Sequence, residues 1–232
     1  MILANKPLRC WRVLMTGIAI ATVVGALDGC KEPISQAERS ATHDCIADSI
    51  GALRLLSSVP TCSAGSLTCR AKCQLGEGAS CLGLGYAAQK DGKAESVVAQ
   101  FYRQGCLLGV ANACTNFAAG VWANNSSSDE ELACAQRALE KACGAKEHFG
   151  CGMVGRMMLA AASPGDDEPR KYLEKTCEDV GGFSCRVLAK QLESRESAGD
   201  SSDRIRALLV RACEGGDPDA CNEPKTASET FR

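Results

Sequence analysis

Histidine is nearly missing from this chain: His43 and His148 are the only two in 232 residues. Two histidines that far apart, neither recurring with any pattern, cannot supply the imidazole cluster of a hydrolytic zinc site. Cys-x-x-Cys does not occur, which removes the thioredoxin-like redox motif, and without Cys-x-x-Cys-His there is no c-type haem attachment. Aromatic residues make up 4% and the net charge is -2, so the chain lacks both the stacking platforms and the basic face of a nucleic-acid binder. The serine motifs of β-lactam-acting enzymes are absent as well: there is no Ser-x-x-Lys, Ser-Asp-Asn or Lys-Thr-Gly, and Lys225-Thr226-Ala227 misses the last glycine. No catalytic, cofactor-binding or metal-binding residue is legible. Alternating β-branched runs are rare while Ala, Leu, Glu and Lys abound, and that composition favours helix over sheet.

What is present is cysteine, 16 of them, and a spacing. Cys73 and Cys81, Cys106 and Cys114, Cys143 and Cys151, Cys177 and Cys185, and Cys213 and Cys221 are five pairs separated by eight positions. Their first members lie 33, 37, 34 and 36 residues apart. A fixed pair recurring at such a period marks stacked structural units. Zinc knuckles place their cysteines two to four residues apart, so the spacing of eight argues for disulfides.

The N-terminus assigns the compartment. Lys6, Arg9 and Arg12 precede an uncharged apolar stretch, Val13 to Leu27, of 15 residues, too short for a membrane span and suited to a signal-peptide core. It ends Leu27-Asp28-Gly29-Cys30, which resembles a bacterial lipobox apart from Asp28. Residues 1–29 read as a signal peptide and Cys30 as the first, lipidated residue. Lys31 after it is compatible with outer-membrane sorting, and an ordinary secretory cleavage is the alternative. An exported chain is one in which disulfides persist.

Residues 31–65 read as a polar tether and a capping helix. Ile46, Ile50, Leu53 and Leu56 recur at helical spacing between Asp44 and Val59, and Pro60 ends the run. This helix is expected to cover the exposed end of the array. The repeats run over 66–222. In each, a helix A ends at the first cysteine, with Tyr102, Leu139, Leu173 and Leu209 four positions before it in units two to five. A helix B follows the second cysteine, with a large residue then a small one (Leu84-Gly85, Phe117-Ala118, Val154-Gly155, Leu188-Ala189), a pattern suited to close helix contact. The two cysteines then face each other at the neck of an antiparallel helix pair, each bridge contributing ~2–3 kcal/mol. Gly76, Gly109 and Gly216 stand where a left-handed C-cap falls; Lys146 and Val180 take that place in units three and four, whose turns are expected to differ. Unit five has a helix A (Asp203 to Glu214) and almost no helix B, and 223–232 is a tail.

Cys45, Cys62, Cys69 and Cys134 fall outside the pattern, with three connectivities open to them. Cys69 occupies the slot of Tyr102 and reads as a small buried residue. The turn residues Lys146, Glu147 and His148 form a polar trio, more simply a solvated loop than a site. Trp122 is either a binding hot spot or an aromatic buried between units. Asn125 heads a glycosylation sequon that a bacterial chain would not use. Gly165 to Glu168 reads as a helix start.

Leu173-x3-Cys177-x7-Cys185-x2-Leu188-Ala189, its counterpart from Leu139 to Gly155, and Arg211-Ala-Cys-Glu-Gly-Gly-Asp-Pro-Asp-Ala-Cys221 resemble Sel1-like repeats. They are similar in particular to the cysteine-rich type of the Helicobacter cysteine-rich proteins. The resemblance spans about residues 66–222. It implies an all-α, tetratricopeptide-related α/α superhelical solenoid of disulfide-stapled hairpins whose concave face binds a protein or peptide partner. It also implies, for some members, penicillin-binding or weak β-lactamase activity. The expected function is thus a membrane-tethered binding solenoid of the bacterial cell envelope, outer-membrane facing the periplasm or secreted. A β-lactamase-like hydrolase and a structural envelope spacer are the alternatives.

Overall fold

A computed structural model describes residues 45–195 and 202–223. The signal peptide, lipidation at Cys30, the tether to Asp44 and the tail beyond Glu223 lie outside the described residues. Everything described is helix, turn or extended connection; the single β-bridge joins Arg54 to Val110. After a four-residue α1 (Ile46–Ser49), ten helices form five hairpins: α2 (Leu67–Gln74) with α3 (Gly78–Lys90), α4 (Glu95–Leu107) with α5 (Ala111–Ala123), α6 (Asp129–Gly144) with α7 (His148–Ala161), α8 (Glu168–Asp179) with α9 (Phe183–Arg195), and α10 (Ser202–Glu214) with α11 (Pro218–Asn222). From α2 onward each helix packs on the next, α1 packs on α6 and α4, and α7 also packs on both α5 and α9, so these three B helices form one side of the stack. The fold is an all-α array of hairpins, and α11, at five residues, is the abbreviated last helix B.

Local chemistry places the ends. Ser66 caps α2 by accepting from Cys69 N, and Ser128 and Glu131 form a reciprocal capping box on α6. Asp167 precedes α8, with Pro169 in its first turn but no bond from the Asp167 side chain, while Asp217 caps α11 by accepting from Asp219 N, with Pro218 as its first residue. In the neck turns Gly76, Gly109 and Gly216 have φ of +94°, +81° and +89°. Unit three keeps the same turn without glycine: Lys146 sits at φ +66°, a conformation that disfavours a residue with a Cβ. Unit four differs, since Val180 leaves the left-handed region and Gly181 and Gly182 enter it instead, at +73° and +53°.

Each neck carries its expected bridge. Cys73 joins Cys81 in the first hairpin, Cys106 joins Cys114 in the second and Cys143 joins Cys151 in the third. Cys177 with Cys185 and Cys213 with Cys221 complete the series. In all five the sulfurs stand at disulfide distance and the Cα atoms are 4.5–4.8 Å apart, inside the range a bridge requires. The second cysteines Cys81, Cys114, Cys151 and Cys185 are fully buried, so these sulfurs are sealed into the core as structural staples instead of being presented as reactive groups.

The large-small step explains how one hairpin grips the next. A Cβ on Gly85 would run into the Tyr102 ring, and one on Gly155 into Leu173. Tyr102 and Leu173 are the residues four before the next unit's first cysteine, and both are buried. The helices B of units one and three therefore keep a notch at Gly85 and Gly155 that the following helix A fills with Tyr102 or Leu173, a contact that tolerates no added methyl group.

The segment before the repeats departs from its reading as a capping helix. Only Ile46–Ser49 is helical; the chain is extended at Ile50 and then runs as a strap across the necks of units three and two toward unit one. Arg54 N donates to Gly109 O, Ala111 N donates to Arg54 O, and Leu56 N donates to Asn112 Oδ1 (3.1 Å). Lys141 Nζ, on α6, donates to the carbonyls of Ala47 and Ile50 at 2.7 and 3.0 Å, closing the helix stub. The apolar residues spaced like a helix are real anchors: Ile46 and Ile50 are buried, and Leu53 and Leu56 pack on the same core. What the strap does not do is cover the end of the stack, where Leu67 and Leu75 of the first hairpin remain 80% and 87% exposed.

The four unassigned cysteines pair two and two. Cys45 reaches Cys134 across 89 residues with Cα atoms 5.4 Å apart, pinning the strap to α6. Cys62 meets Cys69 at 6.2 Å, so Cys69 is half of a staple instead of a lone buried residue. Seven such pairs belong to an oxidising environment outside the cytosol. Among the described residues no helix is long and apolar enough to cross a membrane.

Candidate functional site

The inner side of the stack is made by α3, α5, α7 and α9, and a fixed set of positions on each helix faces it. Two before the second cysteine stand Asn112, Phe149 and Phe183; one after it, Thr115 and Arg186; five after it, Tyr86, Ala119, Arg156 and Lys190; eight after it, Trp122 and Leu159. That series advances by three, four and three, so it forms a stripe along each helix. Stacked hairpins set these stripes side by side. The result is two clefts, of about 540 and 670 Å³, that share Arg156, Phe183 and Arg186 and so make one groove.

The groove has a polar end and an aromatic end. At the first, Tyr86 and Tyr102 meet edge to face at 5.8 Å, Asn116 Nδ2 donates to Tyr86 Oη (3.3 Å), and Tyr102 Oη donates to Gln89 Oε1 (2.6 Å). Burial pushes both phenols above their ordinary value; the Asn116 hydrogen bond partly opposes this for Tyr86. At the other end Arg156 lies over the Trp122 ring at 4.9 Å and near Phe183 at 5.9 Å, while Arg186 covers Phe183 at 4.9 Å. Phe149 and Phe183 stack at 5.6 Å between the two ends.

The polar trio of unit three divides. Lys146 is exposed in its left-handed turn. Glu147 is only 1% exposed; it accepts from Thr115 Oγ1, Phe149 N and Gly150 N, so its carboxylate caps α7 and ties it to α5. His148 Nδ1 accepts from Phe183 N at 3.5 Å, which sets the ring against the glycine turn of unit four. The trio is thus a joint between units, with only its flank open to the groove. Trp122 is half-buried, neither sealed between units nor fully exposed, and Arg156 lies over its ring. Asn125 is exposed in the loop after α5, and Glu168 does begin a helix.

The charges of the groove are unequal in their pairing. Arg186 Nε donates to Asp217 (2.6 Å) and Nη2 to Asp219 (2.9 Å); Lys190 pairs with Glu223 (2.8 Å) and Glu193 (3.5 Å). Arg156 has no carboxylate partner among the described residues. Gln191, in the same cleft as Arg156 and 8% exposed, has neither its amide oxygen nor its amide nitrogen hydrogen-bonded. Among the described residues no group of three or more His, Cys, Asp or Glu side chains is placed to hold a metal ion. Sequence alone singles out Trp122, Glu147 and His148 from this set. The signal for the rest is the offset from the second cysteine, where chemistry changes from unit to unit while the cysteine spacing of eight stays constant. No protein-family model matches the chain, and no curated protein sequence matches it.

Proposed function

We propose that this chain is a Sel1-like binding solenoid, exported and tethered to a bacterial cell envelope through a lipid on Cys30, whose inner groove holds an extended segment of a protein or peptide partner. One observation supports it above the others: the positions that vary between units gather on a single continuous face of aromatic, amide and cationic side chains. A surface of that kind supplies rigid apolar area and orienting hydrogen bonds, which is what recognition of an extended chain needs. A photo-crosslinking residue placed at Tyr86 or Trp122 should capture a discrete partner in the envelope, and one placed at exposed Lys175 on α8 should not. Equal capture from both faces would refute the groove as the binding surface. The tether has its own test: a metabolic fatty-acid label should enter the intact chain and be lost in Cys30→Ser.

A further inference from the structure

Arg156 differs from every other cation of the groove. Arg186 and Lys190 each face two carboxylates, so their charge is neutralised within the fold. Arg156 is exposed, has its guanidinium carbon 4.9 Å from the Trp122 ring centre and 5.9 Å from that of Phe183, and faces no carboxylate among the described residues. An arginine stacked on aromatic rings keeps its N–H edge directed outward in a fixed plane, which suits bidentate pairing with a carboxylate. Beside it, Gln191 is 8% exposed and has a donor and an acceptor that find no hydrogen-bond partner among the described residues. A carboxamide left in that state complements one group above all, a peptide unit with its own C=O and N–H.

Resting on the peptide-binding reading above, we infer that the Trp122–Arg156–Gln191 cleft is a subsite for an acidic residue of an extended peptide. The Asp or Glu carboxylate pairs with the Arg156 guanidinium. The peptide unit beside it exchanges hydrogen bonds with the Gln191 amide, and an apolar neighbour lies on Trp122 and Phe183. Charge decides between carboxylate and phosphate. One uncompensated cation balances a carboxylate of charge −1, whereas a phosphorylated side chain brings about −2 and seeks several arginines.

Hexapeptide pools with one fixed position, Asp, Glu, Asn, Gln or phosphoserine, test this against the oxidised full chain. The acidic pools should bind at least about 10-fold tighter than their amide counterparts, a gap in the range of one charge-assisted hydrogen bond. Arg156→Gln, a change at an exposed side chain, should abolish the acid-over-amide gap while binding of the Asn and Gln pools persists. Gln191→Leu should weaken all pools alike and leave the gap in place. Binding without an acid-over-amide gap, or a gap that survives Arg156→Gln, overturns this subsite alone and leaves the peptide groove standing. A phosphoserine pool preferred over the acidic pools overturns the carboxylate assignment. No binding by any pool overturns the subsite and the groove reading together.

Discussion

The two ends of the stack are held by different forces. At the N-terminal end the strap contributes backbone: Arg54 bonds to Gly109 and Ala111, Lys141 gathers two strap carbonyls, and Cys45–Cys134 makes the junction covalent. A large apolar core runs from Ile46 to Leu192, and the first hairpin adds a small cluster of its own, Cys73, Cys81 and Leu84. At the C-terminal end the buried cluster shrinks to Cys177, Cys185, Ala212 and Ala220, and charge takes over. Arg186 reaches Asp217 and Asp219, Arg204 reaches Glu174 (2.7 Å), and Lys190 reaches Glu223. A repeat array needs something at each end to replace the missing neighbour. Here a preceding segment ties the second and third units together without covering the first hairpin, and ion pairs hold the last. The first solution couples distant units; the second stays local.

Severing the covalent junction should produce the largest effect. A bridge closing a loop of 89 residues contributes roughly 4 kcal/mol on the chain-entropy estimate. Cys45→Ser with Cys134→Ser should lower the unfolding free energy by that amount and speed amide exchange in α4 and α6 together. A loss below about 1 kcal/mol would mean that the strap's hydrogen bonds suffice by themselves.

Next in size is Arg186→Ala. Asp217 is fully buried, so removing its partner strands a carboxylate, and breaking such a pair costs about 3 kcal/mol. Exchange should rise in α10 and α11 and stay unchanged from α2 to α6. Spread of the effect into α4 would erase the distinction between local and coupled ends.

Lys146→Gly sits between the two regions and should stabilise by about 1 kcal/mol, because it relieves the one left-handed residue in the described chain that carries a side chain. The gain should appear as a higher denaturant midpoint with the m-value constant; no gain would show that unit three's neighbours relax the turn.

The smallest effect is spectroscopic. All three tyrosines of the chain, Tyr86, Tyr102 and Tyr172, are pushed above the ordinary value of 10.0, chiefly by burial. The sign follows: below pH 10 folded and unfolded forms are both protonated, and above it the unfolded chain ionises first, so folding stability falls as pH rises past 10. Phenolate absorbance of the native protein should therefore lag that of the denatured protein for all three residues. Tyr172 alone titrating normally would show that the charge-held end opens first.

Much of this arrangement is legible in sequence because its causes are local. The spacing of eight that brings Cys81 back to Cys73, Cys114 to Cys106 and Cys151 to Cys143 acts within one hairpin, as do the left-handed glycines. The Leu-Gly and Val-Gly steps act between adjacent hairpins. The strap escapes such a reading because Ile46, Ile50, Leu53 and Leu56 are buried or half-buried at helical spacing for another reason. They anchor an extended chain whose hydrogen-bond partners, Gly109 and Asn112, lie over 50 residues away, and periodicity carries no record of them. Gly51 and Ser57-Ser58, poor helix formers, are the available warning. The groove is half-legible: Trp122 stands out as a rare aromatic, while Arg156 and Gln191 look like ordinary helix residues until stacking sets the stripes beside one another.

The Cys45–Cys134 bridge also fixes a mechanical route. A pull on the chain from its N-terminal side reaches Cys45, crosses the sulfurs to Cys134, and continues through α6 to the later units. Everything from Ile46 to Ala133 hangs outside that line as a side loop, including α3 and α5. The groove is thus built half from unloaded helices and half, through α7 and α9, from helices in series with Cys45. Tension along the chain reaches one wall of the groove and spares the other.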